Sequence, residues 1–139
     1  MGFIIFLTDK NGSSVPISWS SRKTKRVARS TLTAESLAAI EAVDNAILIK
    51  AAVEEVLGRH IPPICALVDN KSLAEVVKTT NVPAEKRLII DLGALREMIE
   101  QKTLILEWVP TEKQLADVLT KQGASKEKLI RVLCRGSLQ

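Results

Sequence analysis

Residues 16–38 read PISWSSRKTKRVARSTLTAESLA, and the changes of texture along them set the fold class. Up to Trp19 the residues belong to a short apolar run, residues 15–19, of the kind that forms a strand. Residues 20–30 then carry Arg22, Lys23, Lys25, Arg26 and Arg29 with no apolar periodicity, which predicts an exposed basic loop. From Thr33 the pattern becomes helical: residues 33–57 are rich in Ala, Leu, Ile, Val and Glu, free of Gly and Pro, and stopped by Gly58 and then Pro62 and Pro63. Thr31 or Thr33 is the expected N-cap oxygen. Because Leu37, Ile40, Val43, Ile47 and Leu48 run almost all round this helix, burial on more than one side is expected.

Upstream, residues 2–7 form an apolar strand and residues 9–14 (DKNGSS) a turn, so residues 2–19 predict a hairpin. Downstream, residues 64–68 (ICALV) form a short strand that ends at Asp69 and Asn70, followed by a helix over 72–78. After a break at 80–83, Leu88, Leu92, Leu95 and Ile99 predict an amphipathic helix over 84–101. A strand over 104–109, a short helix over 112–121 and a final helix over 125–134 complete the order, with a tail to 139. Strands and helices mixed in this way define an α/β domain, and 139 residues fit one such domain, 1–139.

Apolar residues at 46% and charged residues at 26% exclude a disordered or collagen-like chain. A net charge of +4 is compatible with a polyanionic partner without requiring one. Cys65 and Cys134 are far apart and lie in no Cys/His cluster, so free thiols are expected rather than a zinc site or a disulfide. The opening apolar run is too short for a signal peptide or a membrane span, so no membrane partner and an intracellular location are the expectations. Met1 opens directly onto a strand with no polar lead-in, which gives the expectation that the domain extends further upstream.

Three acidic residues occupy positions that suit chemistry. Asp69 stands at the C-terminal tip of a strand, where α/β sheets bind ligands. Glu35, in the first turn of the long helix, and Asp117, near the start of the helix after the last strand, lie where a helix dipole favours an anion. Each position is also common for structural reasons, as a first-turn charge or a turn residue. Carboxylates brought to one spot from several elements are what a hard divalent ion requires.

Four blocks carry a family resemblance: residues 16–38, VDNKSL at 68–73, EKRLIIDLGALREMI at 85–99 and WVPTEKQLADVLTK at 108–121. In order and content they resemble the ribonuclease H domain of copia-type LTR retrotransposon Pol polyproteins. The resemblance implies a ribonuclease H-like mixed sheet with flanking helices. It also implies four carboxylates, of which Glu35, Asp69 and Asp117 match the last three. The family's first strand and its aspartate have no counterpart, so an N-terminally truncated domain is expected. The implied sheet order places the absent strand at the centre, between residues 2–7 and residues 64–68. Asp9, in the hairpin turn, is no substitute.

By the same resemblance, the intact site holds two Mg²⁺ (or Mn²⁺) ions. Asp69 and the missing aspartate bridge them, Glu35 holds one and Asp117 the other. The implied substrate is an RNA–DNA hybrid, with Arg22, Lys23, Lys25, Arg26 and Lys71 on its phosphates, and the implied partner is an upstream reverse transcriptase region. With one carboxylate missing, impaired hydrolysis is the expectation. A virus-like particle is the setting implied for an active element. The competing reading is a non-catalytic retroelement-derived remnant that acts as a nucleic-acid-binding or protein-interaction module. An integrase-type nuclease would leave the ADVLTK block unexplained. His60 is read as an exposed cation at a helix end. The subtype with a histidine before the final helix is excluded, since residues 110–114 contain none.

Overall fold

A computed structural model describes residues 1–80, 82–83 and 85–138. The hairpin consists of β1 (Gly2–Thr8) and β2 (Ser14–Ser21), paired antiparallel with a register shift between Ile5 and Phe6. Asp9 Oδ1 accepts from Asn11 N at 2.8 Å and from Ser13 N at 2.9 Å. This side chain shapes the turn, which is the local role an aspartate commonly takes there.

Helix α1 (Thr31–Leu57) follows the basic loop. Its N-cap is Ser30, whose Oγ accepts from Thr33 N at 3.1 Å, rather than Thr31 or Thr33. The earlier start puts Glu35 in the second turn rather than the first. Gly58, with φ 64°, closes the helix in the left-handed region that favours glycine. Burial corrects a second expectation. Thr33, Ser36, Ala39 and Val43 form one buried stripe, whereas Leu48 is 71% exposed and Ile47 is exposed as well.

Strand β3 (Ile64–Val68) leads through Asp69 and Asn70 into α2 (Lys71–Val76), which is shorter at its C-terminal end than the expected 72–78. Asn70 caps α2, its Oδ1 accepting from Leu73 N at 2.9 Å. Helix α3 (Lys86–Glu100) presents Leu88, Leu92 and Leu95 to the core, as their spacing requires. Residues 81 and 84, in the expected break and at the expected helix start, lie outside the described residues, as does residue 139 of the tail. Strand β4 (Leu104–Trp108) pairs in parallel with β3, from Ile64 opposite Leu104 to Val68 opposite Trp108. The expected single helix over 112–121 is instead a 3-10 turn (Thr111–Lys113) and a short helix α4 (Asp117–Thr120); Gln114, with ψ 103°, breaks the helical path between them. The chain ends with α5 (Glu127–Arg135).

A single mixed sheet was expected, but the described residues form two separate two-stranded sheets, β1–β2 and β3–β4. The split falls between β1 and β3, the strands that the resemblance sets on either side of a further strand. Helix α1 spans it, packing against both. The core is built on the β3–β4 side, from Ala39 and Val43 of α1, Leu73, Ala74 and Val77, Leu88, Leu92 and Leu95 of α3, and Val68, Leu104 and Leu106. Both cysteines are free, and both are exposed rather than buried in the core. Among the described residues, no helix is long and apolar enough to cross a membrane.

Candidate active site

The parallel pairing of β3 and β4 puts their C-terminal ends side by side, Val68 opposite Trp108, and the site is assembled at that end. Asp69 follows Val68 directly. Its backbone is fixed from two directions: the Trp108 indole N–H donates to Asp69 O at 3.2 Å, and Asn70 is committed to capping α2. The Gln114 amide donates to Leu67 O at 3.1 Å, which holds the segment before α4 against the same strand.

Helix α4 is held against the hairpin rather than against the main core. Ser21 Oγ donates to Leu119 O at 2.5 Å. At Gly2 the absence of a side chain permits the approach, since a Cβ there would lie 2.6 Å from Thr120 Cγ2 and 3.0 Å from Ser20 O. Asp117 is the first residue of α4, so its carboxylate stands at the end where the dipole favours an anion. Lys121 follows one turn later. Its Nζ lies 2.6 Å from Asp117 Oδ2 and 3.6 Å from Asp69 Oδ2.

Glu35 completes the group from α1. Burial pushes its carboxyl above the usual range, and the negative charges of Asp69 and Asp117 push the same way, while Lys121 opposes them. The ammonium of Lys121 is in turn held above its ordinary value, first by the hydrogen bond to Asp117 and then, against burial, by the charges of Asp117, Asp69 and Glu35. Asp69 and Asp117 are therefore joined through one ammonium, and their charges act on the Glu35 carboxyl.

Hard anionic oxygens are the right donors for Mg²⁺, but their spacing here does not make a cradle. Among the described residues, no group of three or more His, Cys, Asp or Glu side chains could hold a metal ion. Sequence reading missed Lys121, although its position four residues after Asp117 was the signal for an ion pair across one helical turn.

The basic loop divides into two sets. Arg22 is paired with Glu41 of α1, and Arg26 Nη1 lies 3.3 Å from Asp91 Oδ2 of α3. Lys71 lies 3.8 Å from Glu75. Lys23 and Lys25 are exposed, and no ion pair involves either among the described residues. A cleft of about 380 Å³ under the loop is lined by Arg22, Arg26, Glu41, Asp44 and Asp91 among others, so its charge is mixed. His60 is almost fully exposed, 3.5 Å from Glu54, at the end of α1.

Fold and site together define a mixed α/β chain with a carboxylate–ammonium cluster at the C-terminal ends of parallel strands. Over 106 residues, 76% of this chain, the sequence is 33% identical to the retrovirus-related Pol polyprotein from transposon TNT 1-94 of Nicotiana tabacum. That similarity supports a region derived from a retrotransposon Pol polyprotein. The matched part is 8% of that polyprotein's length. No protein-family model matches the chain, and no solved structure matches it.

Proposed function

We propose that this chain is the ribonuclease H-type part of a copia-like retroelement polyprotein, and that Glu35, Asp69 and Asp117 are carboxylates of a site that cuts the RNA strand of an RNA–DNA hybrid. The observation that carries the reading is the meeting of two sequence-distant carboxylates, Asp69 and Asp117, on the Lys121 ammonium at the C-terminal end of the β3–β4 pair. Each is supplied by a different element, so the cluster is a product of the fold rather than of local sequence. The similarity to a retrotransposon polyprotein supports the same assignment.

Within this reading the chain's own residues have distinct tasks. Asp69, its backbone fixed by Trp108, presents an oxygen from a rigid strand tip. Asp117, on α4, shares the Lys121 ammonium with it, and the Glu35 carboxyl of α1 is raised by the charges of both. Lys23 and Lys25, at the exposed edge of the loop, take hybrid phosphates and position the duplex without reading its bases. Arg22 and Arg26 anchor the loop to α1 and α3. As they stand the carboxylates do not make a metal cradle, and the reading assigns the missing ligand to a further strand between β1 and β3. Mg²⁺, the metal expected from the resemblance, would require that ligand.

A cleavage assay in Mg²⁺ tests the reading. The chain is joined at its N-terminus to one aspartate-bearing strand and mixed with a labelled RNA–DNA hybrid or with a DNA duplex of the same sequence. The expected result is cutting of the hybrid's RNA strand with the DNA duplex left intact, because the 2′-OH marks the strand to cut. An inert product, or one that cuts both duplexes alike, would overturn the proposal.

A further inference from the structure

Residues 22–26 read RKTKR, an arginine at either end, a lysine inside each and a threonine between. The fold treats the two kinds of cation differently. Arg22 pairs with Glu41 of α1, and Arg26 Nη1 lies 3.3 Å from Asp91 Oδ2 of α3. The carboxylates are the covered partners, 17% and 21% exposed against 56% and 70% for the arginines. Thr24 tightens the segment between these two feet: its Oγ1 donates to Arg26 O at 3.2 Å and accepts from Arg26 N at 3.3 Å. At the upstream foot the Arg22 N–H donates to Met1 O at 3.0 Å. The residue before it, Ser21, donates to Leu119 O of α4, the helix that carries Asp117. Residues 22–26 thus form a strap pinned to α1 and α3 beside the candidate site. Lys23 and Lys25, exposed between the pins, have no ion pair among the described residues.

We propose that Glu41 and Asp91 are positioning residues for nucleic-acid binding: by pinning Arg22 and Arg26 they hold the strap so that Lys23 and Lys25 meet phosphates of an RNA–DNA hybrid together. The proposal rests on the reading of this chain as one that binds such a hybrid. A planar guanidinium suits a fixed pairing with a carboxylate, and an ammonium meets a phosphate as a point charge. Ordering a loop on binding costs conformational entropy and weakens the complex. A strap fixed at both ends has lost that freedom before the hybrid arrives. The charge of the two acids acts the other way, since a carboxylate near a polyanion repels it. Pinning and repulsion are therefore separated only at constant charge.

The test compares two double variants of the 139-residue chain that change the charge equally. Glu41→Gln with Asp91→Asn keeps an amide oxygen to accept from each guanidinium, whereas Glu41→Met with Asp91→Leu leaves none. Binding of a labelled RNA–DNA hybrid is titrated at several salt concentrations. The apolar variant should bind about three- to tenfold more weakly than the amide variant, the scale of two partly exposed pairings. Their plots of log affinity against log salt should run parallel, because Lys23 and Lys25 make the same phosphate contacts in both. Without nucleic acid, trypsin should cut after Lys23 and Lys25 faster in the apolar variant, as in a loop released at its feet. If that variant does not fold, Glu41→Ala with Asp91→Ala takes its place. Equal affinities, equal trypsin rates, or binding of the hybrid by neither variant would overturn the positioning role. The outcomes separate it from the nuclease reading. Hybrid cleavage without the affinity difference would remove the role of Glu41 and Asp91 alone. The affinity difference in a chain that does not cleave even with the added strand would remove the nuclease reading alone.

Discussion

Glu35 is held in place by its helix rather than by a partner, for no hydrogen bond or ion pair involves its side chain among the described residues. Burial and the charges of Asp69 and Asp117 raise its carboxyl above the usual range, against the opposing effect of Lys121. The folded chain therefore holds this proton more tightly than the unfolded chain does. Stability linked to the group is present in acid and is lost as pH rises through the folded value. Glu35→Gln should accordingly make the chain more stable than the original at about pH 7, with the difference shrinking toward about pH 4 as the native carboxyl protonates. Urea midpoints at the two pH values measure it, and a variant less stable at the higher pH would contradict the crowded-carboxylate account. Asp69 was legible in the sequence because a strand-tip aspartate follows an unbroken apolar run. The contact of Lys121 with Asp69 was not, because the two lie far apart in the chain and only the fold brings them together.

At the scale of elements, periodicity located most of the structure and local chemistry moved its boundaries. Helix α1 begins at Thr31 because Ser30 supplies the capping oxygen. Ser30→Ala should cost roughly 0.5–2 kcal/mol, read as a lowered denaturation midpoint with an unchanged denaturant slope. The segment after β4 was less legible. One helix was expected over 112–121, yet Gln114 leaves the helical path, turns its amide back to Leu67 O and leaves only four residues for α4. In the basic loop, Arg22, Lys23, Lys25 and Arg26 had equal standing in the sequence as phosphate contacts, whereas the fold ties Arg22 and Arg26 to Glu41 and Asp91. Lys23 and Lys25 should therefore carry the salt dependence of hybrid binding. Replacing both with Ala should reduce the slope of log affinity against log salt by about 1.4–1.8, the range set by single-strand and B-DNA contacts. Base preference should stay the same. An unchanged slope would make the loop merely solvated.

For the molecule as a whole, the core lies on one face of the β3–β4 pair, and both sheets carry exposed apolar residues. Leu73, Leu92 and Leu104 are essentially inaccessible on the β3–β4 side, whereas Val15, Ile17 and Trp19 of β2 and Leu67 and Ile105 of the β3–β4 pair are exposed. Leu92→Ala should cost about 2–5 kcal/mol through the cavity it leaves, a large share of the roughly 5–15 kcal/mol typical of a domain, and thermal or urea unfolding would show it. A loss below about 1 kcal/mol, the scale of an ordinary surface change, would mean that this side is not the principal core. The mixed α/β order was legible from alternating strand and helix patterns. The division of the sheet was not, because strand patterns report which residues are apolar and not which strand edges find partners.

The central claim is that Asp69 belongs to a hybrid-cutting site and does more than shape the turn into α2. Asp69→Asn, placed in the chain that carries the added strand, tests it most directly, because the amide keeps the shape of the side chain and removes its charge. The account predicts that the rate of RNA-strand cleavage falls about a hundredfold or more, on the order of the loss of one electrostatic group at a reacting centre, while affinity for the hybrid stays nearly the same. Cleavage at an undiminished rate by the Asn variant would contradict it.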